Sequence, residues 1–145
     1  MPVRLAVLDA NVLYPAHLRD VLLWLAVGGL YRPRWSDRIH DEWTRNLLAK
    51  RPDLTAAQLA YTRAEMKRAF PDADVAADLD REAAIALPDP DDRHVLATAI
   101  VSGASWIVTA NLKDFPADAL GPYGVEALHP DAFATGLLEA DLEGA

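Results

Sequence analysis

Short apolar blocks alternate along the chain with longer stretches in which apolar residues recur at helical spacing. Val3 to Leu8 (VRLAVL) is an apolar run closed by Asp9, and its length and branched residues predict a strand buried on both faces. From Leu18 to Val27 the apolar spacing is helical, and Gly28-Gly29 supplies a stop. Ser36 is a natural cap for a helix from about Asp37 to Lys50, where Ile39, Trp43, Leu47 and Leu48 form an apolar stripe with Glu42 beside it. A further helix is expected from Thr55 to about Ala69, stopped by Pro71. DADVAADLDREAAIAL is ambiguous: its first part suits a short acidic helix, and AAIAL suits a buried strand before Pro88. Arg93 to Ser102 has helical character and ends at Gly103. Trp106 to Val108 is a short β run followed at once by Thr109, Asn111 and Asp114. Val125 to Leu128 suits a strand, and HPDAF opens a final helix at about 130–140.

Strands alternating with helices imply an α/β fold, a three-layer α/β/α sandwich around a central parallel β-sheet with right-handed crossovers. In such sheets the polar side chains just past the strand carboxyl ends share one rim, where ligands bind. Asp9 and the Thr109 to Asp114 segment should share it. At 145 residues, with no internal repeat or convincing linker, residues 1–145 are expected to form a single domain with its core at 3–128.

Composition narrows the chemistry. Hydrophobic residues make up 52% of the chain but never run unbroken for the roughly 18 positions a membrane span needs, so a soluble protein is expected. The amino terminus does not read as a signal peptide. The absence of cysteine excludes thiolate catalysis and Cys-type zinc sites, and a cytoplasmic location is expected. The net charge of −8 argues mildly against a nucleic-acid partner, yet it hides an asymmetry. Residues 1–68 hold 11 of the 14 Lys and Arg against 7 acids, whereas the remainder holds 3 basic residues against 15 acids. A polyanion can approach the first half while cations gather in the second.

Four carboxylates stand at positions that matter in this arrangement. Asp9 follows a buried strand, Glu42 flanks a helix stripe, Asp92 begins a helix and Asp114 follows the second clear strand. Each alone has an ordinary structural role, as cap, loop residue or strand end. Converging on one rim they would repel, since two unit charges about 4 Å apart interact by about 4 kcal/mol at an effective dielectric near 20. A divalent cation removes that conflict, and oxygen-only ligands favour Mg²⁺ or Mn²⁺. The implied chemistry is metal-assisted phosphoryl transfer, with hydrolysis of a nucleic-acid phosphodiester as the natural reaction class. Asp89 and Asp91 stand beside Asp92, and either could instead cap the helix or touch the metal; the apolar anchors Val95, Leu96 and Ala99 favour Asp92 as the inward residue.

LDANVL (Leu8 to Leu13), HDEW around Glu42, DRHVLATA (Asp92 to Ala99) and VTANLKDF (Val108 to Phe115) together resemble the PIN domain nucleases, and within them the VapC-like toxins of toxin-antitoxin pairs. The resemblance implies Mg²⁺- or Mn²⁺-dependent RNA cleavage, with Asp9, Glu42, Asp92 and Asp114 as the catalytic and metal-binding acids. It also implies supporting roles for Asn11 and Thr109, a homodimer, and an antitoxin chain that blocks the site. Asn111 stands where many members carry an aspartate, so a second metal, if one is used, is expected to bind weakly. Arg19, Arg38, Arg45, Lys50 and Arg51 are candidate RNA contacts.

Two other readings compete. A haloacid dehalogenase-like phosphatase would use Asp9 as nucleophile with Thr109 and Lys113, but its second aspartate is Asn11 here and its acidic pair would follow the lysine. A non-catalytic PIN-like interaction module would be expected to have lost several acids, and all four are present. His17, His40, His94 and His129 are scattered, with His94 expected to hydrogen-bond locally; Trp24, Trp35, Trp43 and Trp106 are expected to pack in the core.

Overall fold

The computed structural model describes residues 4–144. Four strands, β1 (Leu5–Leu8), β2 (Arg32–Arg34), β3 (Trp106–Val108) and β4 (Glu126–Leu128), form a parallel sheet in the order β2-β1-β3-β4. Val3, the expected first residue of β1, lies outside the described residues. Ala6, Val7 and Leu8 are each 0% exposed. Successive strand side chains point to opposite faces, so both faces of β1 are covered. That is the three-layer α/β/α sandwich expected from the alternating pattern.

Helices α1 (Ala10–Leu13) and α2 (Ala16–Val27) follow β1, and α3 (Asp37–Lys50) and α4 (Ala56–Ala69) follow β2. Next come α5 (Leu79–Ala84) and α6 (Arg93–Ser102), then α7 (Ala117–Leu120) and α8 (Pro130–Gly144). Local chemistry sets their limits. Ser36 Oγ accepts from the Ile39 N–H at the start of α3, and Thr55 with Gln58 makes a reciprocal capping box at the start of α4. Gly103 closes α6 at φ 74°, a left-handed conformation that costs glycine nothing.

Several expectations need correction. AAIAL forms no strand: the Asp78 carboxylate accepts from the Arg81 N–H and nucleates α5 through Ala84, after which Ile85 enters the core in extended chain. β2 escapes the sequence pattern because Arg-Pro-Arg lacks the apolar alternation of a strand; its position at the sheet edge tolerates Pro33. Trp35 and Trp43 are fully buried and Trp106 half-buried, but Trp24 is 72% exposed and belongs to no core. It lies on α2 with Val21 and Val27, which are also exposed.

The strand order carries the functional consequence. The chain leaves β1 toward β2 on one side and later returns to place β3 on the other, so the order reverses between β1 and β3. In open α/β sheets a crevice opens at the strand carboxyl ends where the order reverses. Leu8 pairs with Val108, so the next residues, Asp9 and Thr109, meet at that point.

Candidate active site

Asp9 sits at the base of the crevice, 4% exposed. Its N–H donates to the Val108 carbonyl (3.1 Å), continuing the ladder one residue past β1. One carboxylate oxygen accepts from the Ala10 N–H (2.8 Å) and so caps α1; the other accepts from Thr109 Oγ1 (2.9 Å) and Asn11 Nδ2 (3.2 Å). Burial raises the Asp9 pKa, and the hydrogen bonds from Thr109 and Ala10 act against that rise. Asn11 locks the two strand ends together: Nδ2 also donates to Thr109 Oγ1 (3.1 Å), while Oδ1 accepts from the Ala110 N–H (3.0 Å).

The three aspartates before α6 divide their tasks. Asp89 accepts from the Asp91 N–H (2.9 Å) and caps a short 3₁₀ turn at Pro90–Asp92, with Pro90 at its first position. Asp91 is exposed. Asp92, at the entrance to α6, makes no capping hydrogen bond and lines the cavity instead. Its pKa is pushed up to about 7, first by desolvation and then by the negative charges of Asp9, Asp89, Asp114 and Glu42. The carboxylates therefore share one electrostatic environment.

The cavity, about 410 Å³, is lined by Asp9, Asn11, Glu42, Asp92 and Asn111. Tyr14, Asn46 and Lys50 line it as well; Lys50 is a candidate RNA contact from sequence, whereas Tyr14 and Asn46 are not among the candidates. Lys50 Nζ lies 5.8 Å from the centroid of the Tyr14 ring. The spacing Glu42, Asn46, Lys50 repeats every four residues on α3, one helical face, and is the signal by which they could have been found. Asp114 does not line the cavity. It closes a second 3₁₀ turn, Leu112–Asp114, and acts on Asp92 only through its charge.

The basic candidates separate in the same way. Arg19 is buried, donating from Nη1 to the Leu13 carbonyl (2.8 Å) with its guanidinium 4.8 Å from the Trp43 ring centroid, so it braces the core. Arg38 pairs with Glu82, and Arg51 makes a two-pronged contact with Asp53. Arg45 is exposed. Lys50 is the basic candidate that reaches the cavity. Lys113, which a dehalogenase-like site would need there, is exposed on the 3₁₀ turn.

Among the described residues no three acidic or imidazole side chains are gathered tightly enough to enclose an ion by themselves. The donor set nevertheless suits a hard divalent cation: oxygen ligands only, mutually repelling carboxylates, and one acid forced toward its neutral form. Magnesium keeps several waters and does not need a closed protein cage. Asp9, Glu42 and Asp92 are the residues that would hold it.

A parallel sheet with an acidic crevice at its switch point, built on an Asp-x-Asn end to β1 and a second acid at the start of α6, defines an α/β protein of the PIN class. The PIN domain family matches residues 5–113, more than half of the chain, and the chain belongs to that family. Over 42 residues it is 64% identical to a Mycobacterium tuberculosis (strain ATCC 25618 / H37Rv) protein named "Putative ribonuclease VapC50". That stretch covers 29% of this chain and 25% of the relative, so the chain spans about a quarter of the length of the curated protein it matches. No solved structure matches the chain.

Proposed function

We propose that the chain is a Mg²⁺- or Mn²⁺-dependent endoribonuclease, the toxin of a toxin-antitoxin pair. The observation that carries this reading is the convergence of Asp9, Glu42 and Asp92 on one cavity at the sheet's switch point, with the Asp92 pKa raised first by desolvation and then by its acidic neighbours. When bound, the cation supplies Lewis acidity for the phosphodiester and lowers the pKa of the attacking water. The chain's own residues prepare the site. Thr109 and Asn11 fix the Asp9 carboxylate, Asn11 ties the loop after β3 to that after β1, and Lys50 offers a positive charge to the RNA backbone. Purified protein is expected to cut RNA with Mg²⁺ or Mn²⁺, to stop in excess chelator, and to recover when Mn²⁺ is restored. Undiminished cleavage in chelator would overturn the reading.

The dehalogenase-like alternative loses its ground, because Asn11 donates to Asp9 where that chemistry needs a second acid. Lys50→Ala is expected to weaken RNA binding across sequences and to reduce the salt slope of the affinity by about one. Filter binding at three or more salt concentrations checks this, and an unchanged slope would remove Lys50 from the RNA path.

The partner side of the proposal, an antitoxin chain and a homodimer, is supported by apolar surface. A groove of about 720 Å³ adjoins the cavity through Tyr14 and is lined by Leu47, Leu54, Leu59 and Tyr61. The exposed Val21, Trp24 and Val27 on α2 form a second apolar face. No helix among the described residues is long and apolar enough to cross a membrane.

A further inference from the structure

We propose that His94 is a positioning residue for Glu42: as a cation binds, the acid closes on the His94 Nε2–H, which donates to its carboxylate and holds it at the cavity. The inference rests on the cation-dependent reading above. His94 is the second residue of α6 and is 6% exposed. From sequence it was expected to bond locally, but only its backbone does so, through the carbonyl that accepts from Thr98 Oγ1 (2.8 Å). The ring instead crosses from α6 to α3, where Nε2 stands 3.8 Å from Glu42 Oε1. No hydrogen bond to another described residue holds the Glu42 carboxylate, and the His94 imidazole, at 3.8 Å, is the group placed to anchor it.

The burial of the ring argues for a task. Nδ1 is enclosed and has no hydrogen-bond partner among the described protein groups, a cost that an apolar side chain of similar size would avoid. The retained benefit lies at the other nitrogen. Approaches of this length are common in sites that tighten when a ligand arrives, and Glu42, whose side chain is 34% exposed, has room to close the gap. Carboxylates that bind metal are held by such outer partners, and their loss lowers metal affinity about 10- to 100-fold.

The test reads Mn²⁺ binding to the full chain by titration calorimetry without RNA, alongside the melting temperature in chelator. His94→Leu removes both nitrogens, His94→Asn leaves a polar group only near the Nδ1 position, and His94→Gln restores a donor near the Nε2 position. Leu and Asn variants are expected to bind Mn²⁺ about 10- to 100-fold more weakly, while Gln stays close to the parent. Equal affinity of the Asn and Gln variants, or parent-like affinity in the Leu variant, overturns the inference. If the Leu variant does not fold, the Asn and Gln pair decides alone. A parent chain that binds no Mn²⁺ overturns the cation-dependent reading and this inference together; a parent that binds, with insensitive variants, overturns this inference only.

Discussion

Asp9→Asn is expected to reduce RNA cleavage by roughly 10²- to 10⁴-fold, because an acid that holds a catalytic cation contributes several kcal/mol to the transition state. The fold should survive. The Asp9 charge is buried and its pKa raised, so neutralising it relieves a desolvation cost. Against that gain, the amide cannot accept from all three of its donors, Ala10 N–H, Thr109 Oγ1 and Asn11 Nδ2. One lost hydrogen bond costs about 1 kcal/mol, so the two effects nearly offset. Initial cleavage rates and melting curves on the same preparation separate the outcomes. Parent-like cleavage by a folded Asn variant would remove Asp9 from the chemistry; loss of folding would make it a structural residue of the β1/β3 junction.

Acidification is expected to destabilise the protein through His40, well before ordinary acid denaturation. His40 is 0% exposed, accepts at Nδ1 from Trp43 Nε1 (2.9 Å), and packs edge-on against Trp35. Its pKa is pulled down from 6.5 to about 3, first by burial and then by the positive charges of Arg63 and Lys67, while Asp37 and Asp41 act in the opposite direction. The unfolded chain therefore takes up a proton near pH 6.5 that the folded chain refuses until about pH 3. The stability contributed by neutral His40 is complete above pH 6.5 and is lost as pH falls toward 3, by up to about 1.4 kcal/mol per unit. At pH 4.5 the loss amounts to about 2 to 3 kcal/mol, on the order of 10 °C in melting temperature.

Asp92 has the opposite sign. Its folded pKa is raised, so its contribution is complete below pH 3.8 and is lost as pH rises toward 7. The His40 effect is accordingly read as the difference between the parent and His40→Gln, in chelator, across pH 4.5 to 7.5. A ring resonance of His40 that titrates near 6.5 by NMR, or a variant with the parent's pH slope, would sink the prediction.

Much of this architecture is legible in the order of residues. Ser36 and Thr55 announce the helices they cap, Gly103 ends α6, and the unbroken apolar run before Asp9 reports a strand covered on both sides. These are local events, decided by backbone hydrogen bonds and side chains within a few positions. Asp9 and Thr109 were assigned to one rim because parallel strands end on the same side.

Tertiary packing decided the rest. Arg-Pro-Arg is a strand only because the edge of a sheet is offered to it, and Trp24 is exposed because the buried face of α2 is formed by Leu22, Leu25 and Ala26 instead. Asp89, Asp91 and Asp92 are near-equivalent in sequence, and the geometry of one 3₁₀ turn makes the first a cap, the second a surface residue and the third a wall of the cavity. Arg19 and Lys50 were equal candidates until the fold buried one against Trp43 and placed the other beside the acids. Helical and strand periods belong to the chain itself, whereas a side chain's neighbours across elements depend on how helices rotate and slide against the sheet. The types of group available for catalysis were therefore readable from residues 1–145, and their division into site, cap and core followed only from the packed structure.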